Sequence, residues 1–163
     1  MSGAIFTPGV TPALNGFENR LIVNADLSLA TWNTVAGHAM FSITGPVRAI
    51  FIYYITETFT SGGAATVSFG LTGFPADYAA AQTYANLQAG RHVDPGATIA
   101  TLSIWWSRFM NSARQADCII TNSIKHGYTI AAAAMTDGAL RGICYWSSLD
   151  GAGAVVAGDG GAL

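Results

Sequence analysis

Apolar and polar residues alternate along most of this chain. From Leu21 to Leu29 (LIVNADLSL) the apolar positions are 21, 23, 25, 27 and 29, a period of two that gathers them on one face of an extended strand. Gly37–Thr44 continues the pattern up to a Gly45-Pro46 turn. Arg48–Phe59 (RAIFIYYITETF) is long, aromatic and β-branched, and predicts a central strand buried on both faces for most of its length. Ser61-Gly62-Gly63 reverses it into Ala65–Thr72 (ATVSFGLT), which reads as the second arm of a hairpin. Asp117–Ile124 is a further strand, and Lys125-His126-Gly127 reads as a turn. Two last strands, Tyr128–Met135 and Ala139–Leu149, are joined at Thr136-Asp137-Gly138, a turn of the Asp-Gly kind, and a short apolar tail follows a second Asp-Gly turn.

One stretch reads differently. Pro75–Gly90 (PADYAAAQTYANLQAG) has proline at a first helical position, an alanine-rich middle and a glycine to end it, which predicts one or two helical turns across the top of the fold. Ala100–Met110 (ATLSIWWSRFM) is an apolar segment with two tryptophans. With turn signals every 8–14 residues, the chain predicts an all-β fold. We expect an antiparallel β-sandwich or jelly roll of about eight strands, a single domain over residues 21–163, its core drawn from Ile50, Ile52, Val67, Phe69, Ile119, Ile130 and Ile143. Residues 1–20 lack a sustained period, and Pro8, Pro12, Gly9 and Gly16 interrupt them, so they read as an extended arm.

Composition changes the picture from fold to role. Charged residues are 10% of the 163, against about 25% in an ordinary soluble domain, while 51% are hydrophobic. A surface so poor in charge points to contact with a partner. Seven basic against nine acidic residues give no field to hold nucleic acid. No apolar run approaches the ~20 residues of a membrane-spanning helix, and no basic segment leads an apolar core at the start, so neither membrane insertion nor export is expected. Cys118 and Cys144 are therefore expected as buried thiols on two strands.

Candidate chemistry is sparse. His38, His92 and His126 each sit at a turn or strand start, where a solvent-facing ring is expected, and no serine lies in a G-x-S-x-G elbow. No two of His, Cys, Asp and Glu stand at metal-ligand spacing, and Gly151-Ala152-Gly153 leads into no helix that could cradle phosphate. We expect neither catalysis nor a cofactor. The aromatics carry more. In Tyr53-Tyr54, Trp105-Trp106 and Tyr145-Trp146, neighbours on a strand point to opposite faces, so each pair places one ring inside and one outside. Outer rings suit subunit contact, and a sugar-stacking platform is the competing use.

The strand after a Gly-Pro turn, the GGAATVSFGLTG return, the ADYAAA…LQAG crossover and the closing YTIAAAAMTDGALRGICYWSSLDGAGAVVA resemble small β-sandwich virion proteins of tailed bacteriophages, many of them capsid decoration (cement) proteins. The likeness spans roughly Ile43 to Ala157 and lies in strands and turns, so no functional residue is carried over from it. It implies a jelly roll that associates with itself, often as a trimer, and attaches to the major capsid protein on the outside of a virion made in the host cytoplasm. A carbohydrate-recognising head-fibre or tail module is the alternative. Candidate capsid or subunit contacts are Ile5, Phe6, Val10, Leu14 and Phe17 of the arm, with Trp105, Trp106, Tyr145 and Trp146 on the strands.

Overall fold

The period-two stretches form two antiparallel sheets packed face to face. A computed structural model describes residues 16–93, 109–112 and 115–163. Its strands are β1 (Asn19–Asp26), β2 (Gly37–Thr44), β3 (Val47–Ser61), β4 (Thr66–Leu71), β5 (Phe74–Thr83), β6 (His92–Val93), β7 (Phe109–Ser112), β8 (Gln115–Ile120), β9 (Ile124–Ala131), β10 (Met135–Ser148) and β11 (Ala154–Ala157), with a one-turn helix α1 (Ala30–Asn33) after β1. One sheet runs β1-β10-β3-β8-β7, with β6 also on β3, and the other runs β11-β2-β9-β4-β5.

The sets β1-β10-β3-β8 and β2-β9-β4-β5 are the eight-stranded frame, each interleaving strands from the two ends of the chain in the jelly-roll manner. Among the described residues only β4–β5 and β7–β8 are consecutive strands paired in one sheet. The expected hairpin around Ser61-Gly62-Gly63 is instead an arch, since β3 and β4 belong to different sheets. The final pair is corrected likewise, for β9 and β10 also lie in different sheets. Thr136-Asp137-Gly138 sits within β10, where its register against β3 slips on both sides of Asp137. Gly138 has φ +127°, and the Asp137 carboxylate accepts its N–H at 2.8 Å, so the Asp-Gly signal marks a bulge. The reversal lies just before, at residues 132–134, with Ala132 at φ 72°.

Pro75–Gly90 is not helical. Residues 74–83 are β5, paired to β4 through Phe69↔Ala79 and Val67↔Gln82, and only Tyr84–Asn86 makes a 3-10 turn. Burying Tyr78 and Ala79 outweighs alanine's helical preference, and Pro75 is tolerated because β5 is an edge strand. Lys125-His126-Gly127 likewise lies inside β9 rather than in a turn.

The core fills the gap between the sheets with rings. Phe41, Phe51, Tyr53, Phe59, Phe69, Tyr78 and Tyr128 are all buried, each ring contributing upwards of about 1.5 kcal/mol of burial free energy. Strand β3 sends residues 47, 49, 51, 53 and 55 inward. Of the expected core, Ile50, Val67, Phe69 and Ile130 are buried, whereas Ile52, Ile119 and Ile143 are half-buried. The parity of β3 and β10 explains two of these: the core takes Phe51, Tyr53, Leu140 and Cys144, which leaves Ile52 and Ile143 on the outer face.

Candidate functional site

Register across the six-stranded sheet builds its outer face row by row. Ile22 of β1 pairs with Ile143 of β10, which pairs with Ile52 of β3, so three isoleucines lie side by side. On one flank Arg20 pairs with Tyr145 and Tyr145 with Ile50. On the other flank Asn24, Arg141, Tyr54 and His92 line up, tied by a 3.0 Å bond from Arg141 Nε to Asn24 Oδ1 and by Tyr54 and His92 rings 5.1 Å apart. Ile22 is 41% exposed, and Ile52, Tyr54, Ile143 and Tyr145 are half-buried. The row is therefore an apolar strip open to solvent at its β1 end, between two polar margins.

The expected contact residues divide over this frame. Tyr145 lies half-buried on the outer face, while Trp146, its neighbour, packs against the core cluster. Tyr53 and Tyr54 split in the same way, Tyr53 fully buried inside and Tyr54 half-buried outside. Phe17 is fully buried, with the Arg48 guanidinium 4.7 Å above its ring, and Glu18 N–H donates to Ser147 Oγ at 3.0 Å. Phe17 is thus already covered within its own chain. Ile5, Phe6, Val10, Leu14, Trp105 and Trp106 lie outside the described residues.

Two histidines expected in solvent are buried: His126 meets its polar partner on a strand distant in sequence, while His38 lies among carbonyls of the nearby α1 region and of Gly160. His126 is wholly enclosed, stacked on Phe51 with centroids 3.9 Å apart and edge-on to Tyr78, and its Nδ1 meets the Tyr53 hydroxyl. Burial lowers its pKa to about 3 and raises that of the Tyr53 phenol, so at neutral pH both are uncharged and the phenol donates to the imidazole. The Tyr78 hydroxyl donates to the Phe51 carbonyl at 3.0 Å. This polar centre ties the sheets together through side chains, with the imidazole closed to solvent.

His38 works at the sandwich end. Its Nδ1 lies 3.0 and 3.1 Å from the carbonyl oxygens of Thr31 and Gly160, and its Nε2 lies 2.9 Å from that of Thr34. One ring thereby joins β2, the α1 region and the last residues of the chain. Those residues continue along β2 through Gly158 N–H to Met40 O, Gly160 N–H to Ala39 O and Ala39 N–H to Gly161 O. Lys125 Nζ donates to Ala162 O at 2.9 Å beside them.

The remaining groups are accounted for by the fold. Cys118 and Cys144 do not pair with each other, being on β8 and β10 to either side of β3, and both thiols are buried. Burial pushes the Cys144 thiol well above its ordinary pKa, and Cys118 Sγ–H donates to Ala49 O. Asp150 accepts from Ala152 and Gly153 N–H at 2.9 and 3.0 Å, which shapes the second Asp-Gly turn and holds its carboxyl below the usual range. Among the described residues, no three of His, Cys, Asp and Glu gather where a metal ion could be held. A groove of about 460 Å³ is lined by Ile55, Gln82, Asn86, Leu87, Arg91 and His92, and the His92 ring is the one that contacts Tyr54. No helix among the described residues is long and apolar enough to cross a membrane. No family model, curated protein or solved structure matches this chain.

Proposed function

We propose that this protein is a virion structural protein of a tailed phage, which binds the major capsid protein on the outside of the capsid and stabilises the shell. The observation that carries the reading is the Ile22–Ile143–Ile52 row on the outer sheet face, flanked by Tyr54 and Tyr145, in a chain with 10% charged residues. A rigid sandwich with an apolar strip on one broad face can bridge neighbouring capsid subunits, and its low charge leaves that contact little affected by salt. Repetition over a symmetric lattice multiplies weak contacts by avidity. The resemblance of the strand and turn pattern to phage cement proteins agrees with this.

The residues before the sandwich supply a second contact. Ile5, Phe6, Val10 and Leu14 are apolar side chains in the sequence ahead of the sandwich, and burying them against a capsid subunit would strengthen the attachment. Phe17 belongs with the sandwich, so the informative deletion removes residues 1–15 and no more. The test adds purified protein to capsids of the parent phage prepared without it. Saturable binding and a higher temperature of DNA release are expected, with both weakened by the deletion and by Ile143→Asp. Absence of binding by the intact chain would overturn the reading.

The groove lined by His92 supports one other reading, a carbohydrate-recognising module. Gln82, Asn86, Arg91 and His92 offer hydrogen-bonding groups along the groove, and His92 links it to the outward Tyr54 ring, on which a sugar could stack. A glycan array probed with the intact chain decides it: binding lost in Tyr54→Ala favours the module, and silence across the array removes it.

A further inference from the structure

Strand β1 ends the six-stranded sheet, and no strand among the described residues pairs with its other side. It is eight residues long, runs against β10 in unbroken register from Asn19↔Trp146 to Asp26↔Ala139, and contains no proline, lysine or bulge. Those are the devices by which edge strands are ordinarily kept from pairing with a second chain. Its outer-face side chains Arg20, Ile22, Asn24 and Asp26 are all exposed, while Val23 and Ala25 are buried toward the core.

The sequence of this edge is complementary to itself. Laid antiparallel on a second copy about a two-fold axis at Val23, it places Arg20 opposite Asp26 twice on the outer face. On the inner face Leu21 meets Ala25 and Val23 meets Val23, while on the outer face Ile22 meets Asn24. Moving the axis to Ile22 sets Glu18 against Asp26, and moving it to Asn24 sets Ile22 against Asp26. Like charges directly opposite each other destabilise a cross-strand pair and opposite charges support it, and of these three registers only the one about Val23 sets Arg20 against Asp26.

We propose that β1 is a homodimerisation edge, two copies pairing β1 to β1 antiparallel about Val23, with each Arg20 facing Asp26 of the other copy. The two six-stranded sheets then become one continuous sheet, and the exposed end of each isoleucine row is brought beside its counterpart. This is a two-fold contact of the free protein, distinct from the trimer that the phage resemblance implies, and it stands whether or not the protein binds a capsid.

The test uses sedimentation velocity of the full chain over a wide concentration range. The wild-type protein should be dimeric, and Arg20→Asp or Asp26→Arg alone should weaken self-association by about tenfold or more, since each turns two attractive pairs repulsive. Mixing the two singly reversed chains should restore the dimer as a heterodimer, because opposite charges again face each other at both pairs. That rescue separates the interface from any folding defect, including a loosened turn at Asp26, whose carboxylate accepts from Ser28 N–H and Oγ–H. A wild-type monomer at all concentrations would overturn the proposal. So would single variants that remain fully dimeric, or a mixture that remains monomeric.

Discussion

The Tyr53 hydroxyl of β3 donates to His126 Nδ1 of β9, a hydrogen bond between side chains of opposite sheets at the centre of an otherwise aromatic core. It gives the sandwich a directional contact where ring packing alone would tolerate sliding. It also gives the fold a dependence on pH.

His126 is neutral in the folded chain down to about pH 3, whereas in the unfolded chain it takes a proton below about 6.5. The unfolded state therefore binds more protons between these values. Stability should be at its full value above pH 6.5 and fall as pH drops toward 3, by about 1.4 kcal/mol per pH unit from this group. Asp26, Asp150 and Asp159, whose pKa values are lowered from 3.8, act only at the acid end of that window. Urea unfolding at pH 7 and pH 5 measures the effect. In His126→Gln, which keeps a polar partner for Tyr53 without titrating, the slope over this interval should shrink by that amount.

Gly127 follows His126 where β9 pairs with Ala39 of β2. A Cβ there would lie 2.0 Å from the His38 carbonyl oxygen and 3.0 Å from Met40 N, both of them backbone. Gly127→Ala must separate two central strands and should cost about 3 kcal/mol or more. Gly62, in the arch between β3 and β4, has nothing within 4 Å of its added Cβ, so Gly62→Ala should change the thermal midpoint little. Equal midpoints for the two variants would refute the close approach.

Replacing His38 by alanine removes the ring N–H that serves the Thr31 and Gly160 carbonyls from Nδ1 or the Thr34 carbonyl from Nε2, at a cost of about 1–3 kcal/mol. The loss should be local first. Hydrogen exchange should accelerate at Gly158 and Gly160, whose amides bond to Met40 and Ala39, while amides of β3 and β10 keep their protection. Uniform acceleration would show that the terminal residues have no independent hold on the sandwich.

The strands were legible because alternation is written one residue at a time: Val23, Ala25 and Leu27 face inward as their spacing requires. Which sheet a strand joins was not. Ser61-Gly62-Gly63 reports a reversal equally well as a hairpin or as an arch, and the choice depends on β8 and β10, which flank β3 from far along the sequence. Asp137-Gly138 carried a correct local message, a glycine at positive φ, but set in a bulge rather than a turn. For Pro75–Gly90 the alanines favoured a helix that pairing with β4 overrode. The outer face was legible in part. Pairing Tyr53 with Tyr54 and Tyr145 with Trp146 placed one ring on each side, yet Ile52 and Ile143 look like core residues until the register shows which parity the core has taken. The burial of His126 had no local signal, since Tyr53 lies 73 residues from it, and His38, though close to Thr31 and Thr34, is closed in by Gly160, 122 residues on.

The pairing of Asn19 with Trp146 sets the order in which this molecule can come into being. Strand β1 finds its neighbour only in β10, more than a hundred residues later, and β3 waits for both β8 and β10. The six-stranded sheet cannot close before β10 is available, so it forms slowly, through long loop closures. In the interval its aromatic strands are bare, which leaves the incomplete chain open to association with other chains.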